Sequence, residues 1–261
     1  MPDPALPAPP VLEVDLGPGV RAAFTGRAGG VSPAPWSGLN LGLGVGDDAE
    51  RVLAHRDAVG RRLGAPLVFG TQVHGAQVRV LEEADRVARV ETGRGAATCG
   101  EQDALVTARP GLGLGVLVAD CVPVLLADPS ARVVGVAHAG RQGLLEGVVG
   151  AALEALVAQG ARADQVRAVV GPAACGRCYE VPEQMRAEVA AARPGTSSTT
   201  RWGTPALDLP AGVVAELRAA GVRAVVETGI CTLEDERYYS HRLATRHGTT
   251  TGRFAGVVAL E

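Results

Sequence analysis

The chain contains no lysine. All 25 of its basic residues are arginines, set against 28 acidic residues, which gives a net charge of −3. This absence excludes a Schiff-base lysine and the lysine of a phosphate-binding P-loop. The near balance of charge also excludes the strongly basic surface that binds nucleic acid or anionic membranes. We therefore expect neither a nucleic acid nor a membrane as partner.

Long apolar runs and aromatic residues are also scarce. The most apolar stretch, residues 111–127, is interrupted by Asp120 and Pro123 and is too short for a membrane span. The first ten residues lack the basic and apolar regions of a secretory signal, so we expect a cytoplasmic protein. Five cysteines form an odd set, which predicts free thiols in a reducing compartment.

Strand-like and helix-like runs interleave along the chain. This pattern predicts one mixed α/β or α+β domain over residues 1–261, with residues 1–10 loose. The predicted helices are residues 48–63, 142–158, 182–192 and 210–220. The predicted strands are residues 11–15, 21–25, 67–74, 77–81, 104–107, 112–119, 122–127, 133–138, 166–170, 224–227 and 254–260. The loop at residues 26–46 is long enough to predict a functional role, and residues 194–205 form a second loop.

Three reactive residues follow or end strand-like runs: His74, Cys121 and His138. Strand ends are where α/β folds assemble their sites. Two imidazoles and one thiolate make a suitable set of three zinc ligands, with a fourth position open to water or substrate. The same atoms allow another chemistry, in which Cys121 is a nucleophile and His138 its general base, oriented by Asp120 or a backbone carbonyl. The sequence leaves both readings open.

Two other features carry weaker chemical signals. Arg141 follows Gly140 at a predicted helix start, where free N–H groups favour an anion, and Arg27 could add a second positive charge. Cys175 and Cys178 form a single CxxC pair, which is a weak indication of a metal or redox site without a second pair.

The ordered set of motifs resembles one family over nearly the whole chain, from about residue 20 to residue 260. The motifs are Arg27-Ala28-Gly29-Gly30-Val31-Ser32, Asn40-Leu41-Gly42, Gln72-Val73-His74-Gly75, Asp103-Ala104-Leu105-Val106-Thr107, Ala119-Asp120-Cys121-Val122-Pro123, Val136-Ala137-His138-Ala139-Gly140, Gly171-Pro172-Ala173, Cys231-Thr232 and Thr251-Gly252-Arg253. They are similar to those of the YfiH/YlmD family, formerly called laccase-domain or polyphenol oxidase proteins.

This resemblance implies a fold like that of the cytotoxic-necrotizing-factor cysteine hydrolases. It also implies a zinc site at His74, Cys121 and His138, with copper as a possible substitute, and a functional Arg27. The implied activities are phosphorolysis of adenosine, inosine and methylthioadenosine, together with adenosine deamination. Nucleosides and phosphate are then the partners, and a homo-oligomer is left open.

The sequence departs from the family pattern at two places. Arg141 is displaced by one position from the family's arginine, and Gly44 stands where a histidine is common. We take Arg141, Asn40, Asp120 and Arg253 as further candidates for binding substrate or phosphate.

Two alternative functions remain to be weighed. One is a cysteine hydrolase or peptidoglycan-precursor editing amidase that uses Cys121 and His138. The other is a copper-dependent polyphenol oxidase, which we reject because a multicopper enzyme needs many paired histidines. The chain has five histidines and no His-x-His sequence.

Overall fold

Two six-stranded sheets pack face to face in the computed structural model, which describes residues 6–82 and 97–261. The first sheet has the spatial order β1 (Val11–Glu13), β2 (Val20–Thr25), β14 (Phe254–Leu260), β7 (Gly113–Val118), β3 (Leu67–Thr71) and β5 (Ala97–Glu101). The second has the order β13 (Ala224–Glu227), β10 (Arg167–Val170), β8 (Val122–Asp128), β9 (Val133–Ala139), β6 (Ala104–Thr107) and β4 (Val78–Leu81). Most neighbours pair antiparallel, but β3–β7, β3–β5, β4–β6 and β10–β13 are parallel.

Helices cover the outer faces of both sheets. The helices are α1 (Ala49–Leu63), α2 (Arg141–Glu146), α3 (Val148–Ala158), α4 (Glu183–Ala192), α5 (Leu209–Ala219) and α6 (His241–Arg246). Helix α1 packs Val59 and Leu63 on the first sheet, whereas α2 to α5 pack on the second. The described residues therefore form four layers, helix–sheet–sheet–helix, and the predicted mixed α/β class is confirmed. No helix in these ranges is long and apolar enough to cross a membrane.

Strand β8 shows how the sequence fills two layers at once. Its alternate residues Val124 and Leu126 face the helices, and Leu125 and Ala127 face the first sheet. Successive side chains of a strand point to opposite faces, so a strand between two apolar layers must be apolar throughout. This explains the continuous apolar run from which the strand was predicted.

The predicted helix at residues 142–158 is wrong in one respect, because it is two helices. Gly147 adopts a left-handed conformation with φ of 88° and ends α2. Its N–H donates to the carbonyl groups of Gly143 and Leu144, which is how a glycine satisfies the last turn of a helix. The apolar periodicity continues across Gly147, so periodicity alone did not reveal the break.

Other parts of the chain also differ from the prediction by more than one or two residues at an element end. Strand β3 ends at Thr71, three residues before His74, which has φ of 63°. The predicted loop 194–205 contains β11 (Ser197–Thr199), which pairs with β12 (Pro205–Leu207). The short helix α6 was not predicted. Residues 1–5 of the segment predicted to be loose lie outside the described residues.

Candidate metal centre and cavity

The structure brings His74, Cys121 and His138 together. His74 lies in the turn after β3, Cys121 between β7 and β8, and His138 near the end of β9. Their ligand-type atoms all lie within 4.8 Å of one another, and Cys121 Sγ is 3.7 Å from His74 Nε2. The two imidazole rings meet edge to face, with centroids 4.7 Å apart. One thiol and two imidazoles from three separate strand ends thus converge on one point.

Asp103, which the sequence reasoning assigned no role, holds two of these residues in place. Its Oδ1 accepts hydrogen bonds from His138 Nδ1 at 2.8 Å and from the backbone N–H of His74 at 3.0 Å. Its Oδ2 accepts from the backbone N–H groups of Val73 and Gly75, at 3.1 and 2.9 Å. Burial acts to raise the pKa of Asp103, but His138 and the backbone donors outweigh it and lower the pKa.

The Asp103–His138 hydrogen bond selects one tautomer of the imidazole. Because Nδ1 carries the proton that it donates to the carboxylate, Nε2 is left to face Cys121 or a metal ion. Asp103 therefore does what the sequence analysis expected of Asp120 or a backbone carbonyl, and that expectation for Asp120 is wrong. The sequence feature that could have identified Asp103 is its place at the start of a family-like motif, immediately before β6.

The two imidazoles favour a negative charge on Cys121. Burial acts to raise the pKa of its thiol, but the charges and hydrogen bonds of His138 and His74 lower it to about 6. Burial likewise acts to lower the pKa of His138, but Cys121 and Asp103 raise it to about 9. At neutral pH the protein thus stabilises a thiolate here, which is the form that ligates a metal or attacks an electrophile.

Glycine at position 140 makes room for this arrangement. A Cβ atom at Gly140 would lie 2.7 Å from His74 Cδ2 and 3.1 Å from Cys121 Sγ. Any side chain would therefore push the imidazole away from the thiol. The His138-Ala139-Gly140 motif thus supplies the His138 imidazole. Its glycine leaves the space that the side chains of His74 and Cys121 occupy.

A cavity of about 590 Å³ opens over the three residues. This volume falls in the usual range for small-molecule sites, roughly 300–1,000 Å³. Its walls include Gln72 from the His74 segment, the 3₁₀ turn Leu43–Val45, Arg56 from α1, His241 from α6, and Arg253 before β14. The long loop at residues 26–46 thus contributes to the site.

Two arginines bring positive charge to this cavity. Arg253 Nη1 donates to the carbonyl groups of Thr251 and Gly252, at 3.2 and 3.1 Å. Arg56 is 2% exposed, and its Nη1 is buried with no hydrogen-bond partner among the described residues. Burial lowers the pKa of Arg56 to about 10, so it stays charged at neutral pH. Arg56 was not predicted as a site residue, because the sequence of α1 has the pattern of an ordinary amphipathic helix.

Asn40 supports the cavity wall and does not line it. Its Nδ2 donates to the carbonyl of Gly42 and to Asp47, and its Oδ1 accepts from the backbone N–H groups of Gly42 and Arg253. The buried amide therefore ties the 3₁₀ turn to the Arg253 segment. This is a positioning contact between two parts of the wall.

The structure places the remaining candidates outside the cavity lining. Arg27 stacks its guanidinium 4.9 Å from the ring centroid of Tyr239. Asp120 has φ of 88°, and its carboxylate accepts from the Thr232 hydroxyl and from the N–H of Arg242 in the first turn of α6. Arg141 is the first residue of α2 and is partly exposed.

Comparison with known proteins gives a consistent picture. The family described as multi-copper polyphenol oxidoreductase laccase matches residues 21–261. Purine nucleoside phosphorylase ORF3 of Streptomyces griseus is 54% identical over 245 residues, which are 92% of this chain and 94% of that protein. The crystal structure of the hypothetical protein YfiH of Bacillus licheniformis has a TM-score of 0.82 at 30% identity and covers 93% of each chain. That of YlmD from Geobacillus stearothermophilus has a TM-score of 0.81 at 30% identity, over 94% of this chain and 93% of that one.

Proposed function

The chain belongs to the multi-copper polyphenol oxidoreductase laccase family, the YfiH-like proteins, and we propose that it is a purine nucleoside phosphorylase. Its substrates are adenosine, inosine and methylthioadenosine, and it also deaminates adenosine. The observation that carries the proposal is one cavity that holds a thiolate–imidazole donor set beside two guanidinium groups. The donor set suits an ion or a nucleophile, and the guanidinium groups suit phosphate.

The residues present fit a zinc ion at His74, Cys121 and His138. Imidazole nitrogen and thiolate sulfur are the donors that Zn²⁺ prefers, and three protein ligands leave one position open. The Asp103 hydrogen bond, which frees His138 Nε2, is the support that metal-bound histidines usually have. The same His₂Cys set also accepts copper. When bound, the ion would supply Lewis acidity at the floor of the cavity.

Phosphate binding falls to Arg56 and Arg253. The unpartnered Nη1 of Arg56 is costly to bury without an acceptor, and a phosphate oxygen would satisfy it. Arg253 uses Nη1 for backbone carbonyls, which leaves Nε and Nη2 for a ligand as far as the described residues extend. In phosphorolysis an oxygen of dihydrogen phosphate bonds to the anomeric carbon, the glycosidic C–N bond breaks, and the proton that the phosphate gives up goes to the leaving base. The two arginines orient that phosphate and offset its charge.

A product assay tests the proposal directly. Adenosine incubated with phosphate should yield adenine and ribose 1-phosphate, whereas without phosphate it should yield inosine and ammonia. We expect Arg253→Gln to lower phosphorolysis by about 10- to 100-fold, as loss of one charged contact of roughly 1.5–3 kcal/mol implies. Deamination should change less. Arg218→Gln, at an exposed arginine of α5, is the matched control. A wild-type protein that forms none of these products would refute the proposal.

Arg27 provides a second test of phosphate recognition. The family resemblance gives it a functional role, whereas its guanidinium stacks on Tyr239 outside the cavity lining. Arg27 lies in a glycine-rich loop that can approach a ligand, and a guanidinium binds phosphate through two parallel hydrogen bonds. If the loop brings Arg27 to a phosphate held by Arg56 and Arg253, Arg27→Ala should weaken phosphate-dependent cleavage more than deamination. Equal loss of both activities would make Arg27 a structural or nucleoside-binding residue instead.

One observation favours a second candidate, a cysteine hydrolase that acts on an amide, such as a peptidoglycan-precursor editing enzyme. Asp103, His138 and Cys121 form a carboxylate–imidazole–thiol chain like that of cysteine hydrolases. The two functions differ in the state of Cys121, since a metal-bound thiolate resists alkylation and a free one does not. We expect iodoacetamide to leave Cys121 unmodified until a chelator is added. Rapid alkylation of the untreated enzyme, with activity retained in His74→Ala, would favour the hydrolase.

A further inference from the structure

A second group of ligand-type side chains lies outside the cavity. It consists of Cys175, Cys178, Cys231 and Glu234, and we call it the thiol cluster. The three sulfur atoms and a carboxylate oxygen all lie within 4.8 Å of one another. None of the four residues contributes to the cavity lining that the structure describes. The cluster is therefore separate from the His74–Cys121–His138 site.

The four ligand-type side chains lie on two turns of similar geometry. The backbone N–H groups of Cys178 and Tyr179 both donate to the carbonyl of Cys175, at 2.9 Å each. Those of Glu234 and Asp235 both donate to the carbonyl of Cys231, at 3.0 Å each. Each turn thus carries one potential metal ligand at its first position and another three residues later. This is the spacing of the ligand pairs in structural zinc sites.

The fold presses the two turns together. Ala173 and Cys231 form an isolated parallel bridge, in which the Ala173 N–H donates to Ile230 and the Thr232 N–H donates to Ala173, both at 3.1 Å. Gly176, inside the first turn, touches Asp208 so closely that a Cβ would lie 2.6 Å from that side chain. The backbone bridge thus brings the two turns together without the help of the ligand side chains, and Asp208 leaves no room for a side chain at Gly176.

The thiol cluster is largely buried and contacts one arginine. Cys178 and Cys231 are 1% and 6% exposed, whereas Glu234 reaches solvent. Arg201 Nη2 donates to Cys178 Sγ at 2.8 Å and also pairs with Glu234 at 2.5 Å. One guanidinium cannot balance three thiolates and a carboxylate, so these thiols would lose their protons only on binding a cation of higher charge.

We infer that the thiol cluster is a structural zinc site with Cys175, Cys178, Cys231 and Glu234 as its four ligands. Tetrahedral ligands at zinc–sulfur distances of about 2.3 Å lie roughly 3.8 Å apart, so the donors need to move little. Thiolates select zinc over calcium and magnesium, which prefer oxygen. Four protein ligands leave no position for substrate, and this marks the site as structural.

The bound ion would stabilise the turn that carries Cys121. The Thr232 hydroxyl, next to Cys231, donates to Asp120 Oδ1 at 2.7 Å, and the Ala174 N–H donates to the Asp120 carbonyl at 2.9 Å. Asp120 precedes Cys121 and needs these partners because it has φ of 88°. The zinc site would thus hold the backbone beside the cavity without touching a substrate.

Metal content of the full-length protein, purified without added metal, tests the inference. We expect two zinc ions per chain in the wild type and one in the His74→Ala/Cys121→Ala variant, which isolates the thiol cluster. Adding Cys178→Ser to that variant should remove the last ion. Cys99→Ser, whose cysteine belongs to neither group, should keep both. A double variant that already holds no zinc would overturn the inference, whatever the outcome for the proposed function.

A milder variant covers the case in which Cys178→Ser fails to fold. Glu234→Gln keeps three thiolates, and we expect it to retain the fold and to release its structural zinc to a competing chelator at least about 10-fold more readily. Glu236→Gln, an exposed neighbour, is the charge-matched control. Unchanged zinc release in Glu234→Gln would remove the carboxylate from the site. A Cys175–Cys178 disulfide in the intact mass of the freshly purified protein would overturn the inference as a whole.

Discussion

The cavity site and the thiol cluster bring together similar atoms in different surroundings. The cavity site combines one thiol with two imidazoles, is supported by Asp103, and faces a cavity of about 590 Å³. The thiol cluster combines three thiols with a carboxylate, is supported by Arg201, and lines no part of that cavity. Three ligands leave a metal open to chemistry, whereas four ligands close it. The number of ligand side chains and their position relative to the cavity are therefore what distinguish the roles that we propose for the two sites.

The residues that contact the two groups of ligand-type side chains also differ: Asp103 contacts His138, and Arg201 contacts Cys178. The carboxylate of Asp103 raises the basicity of the His138 imidazole, which would strengthen its bond to an ion with an open position. A guanidinium beside Cys178 offsets negative charge and leaves the donors where they are. Each support thus suits one of the two roles.

The largest effect that would separate the two regions is expected from His74→Ala. This variant should lose the ion of the cavity site, and its phosphorolysis and deamination should each fall by well over the roughly 100-fold typical of outer contacts. The ion of the thiol cluster should remain. Metal content and kcat/KM measured on one preparation provide the check. Full activity in His74→Ala would show that the cavity needs no ion.

A smaller effect is expected from Asp103→Asn. The amide keeps the size of the side chain but cannot serve all four hydrogen bonds as acceptor, so we expect about a 10- to 100-fold loss of metal affinity at the cavity site. Asp128→Asn is a matched control. Asp128 also accepts several hydrogen bonds, from Ser130, Ala131 and Arg162, but it lies at the end of β8 outside the cavity lining. If both variants lose the same amount of metal, Asp103 acts on stability alone.

A third effect, on stability and not on metal content, concerns the loop that carries part of the cavity wall. Asp47 accepts hydrogen bonds from Ser32, Asn40, the Asp48 N–H and Arg51. Burial acts to raise the pKa of its carboxyl, but these donors outweigh it and lower the pKa below its usual value. The carboxylate thus stabilises the fold above the unfolded-state pKa, near 4, and this contribution is lost as the pH falls through the lower folded value.

Asp47→Asn should therefore lower the free energy of unfolding by about 1.5–3 kcal/mol at pH 7. The difference from wild type should shrink below about pH 4. Urea unfolding at several pH values measures both quantities. A difference that does not change with pH would mean that the charge of Asp47 adds nothing to its hydrogen bonds.

Local patterns predicted most elements of the fold, and packing decided the rest. Helix α1 was predictable from Asp48, which accepts the Arg51 N–H as its cap, and from Gly64, which ends the helix in a left-handed conformation. Strand β8 was predictable from its apolar run. Helix α6 was not, because six residues are too few to show a helical period and the Arg242 N–H of its first turn donates to the distant carboxylate of Asp120.

The chain by itself determined the mixed α/β class, the caps and turns, and the identity of three donors at strand ends. These follow from interactions within a few residues and from motifs whose spacing is visible in the chain. Tertiary structure alone decided that Asp103 orients His138, that Arg56 of α1 lies beside the cavity residues of other segments, and that Cys231 and Glu234 join the Cys175–Cys178 pair. Each of these contacts joins segments far apart along the chain, and only the pairing of strands and the packing of layers bring them within bonding distance.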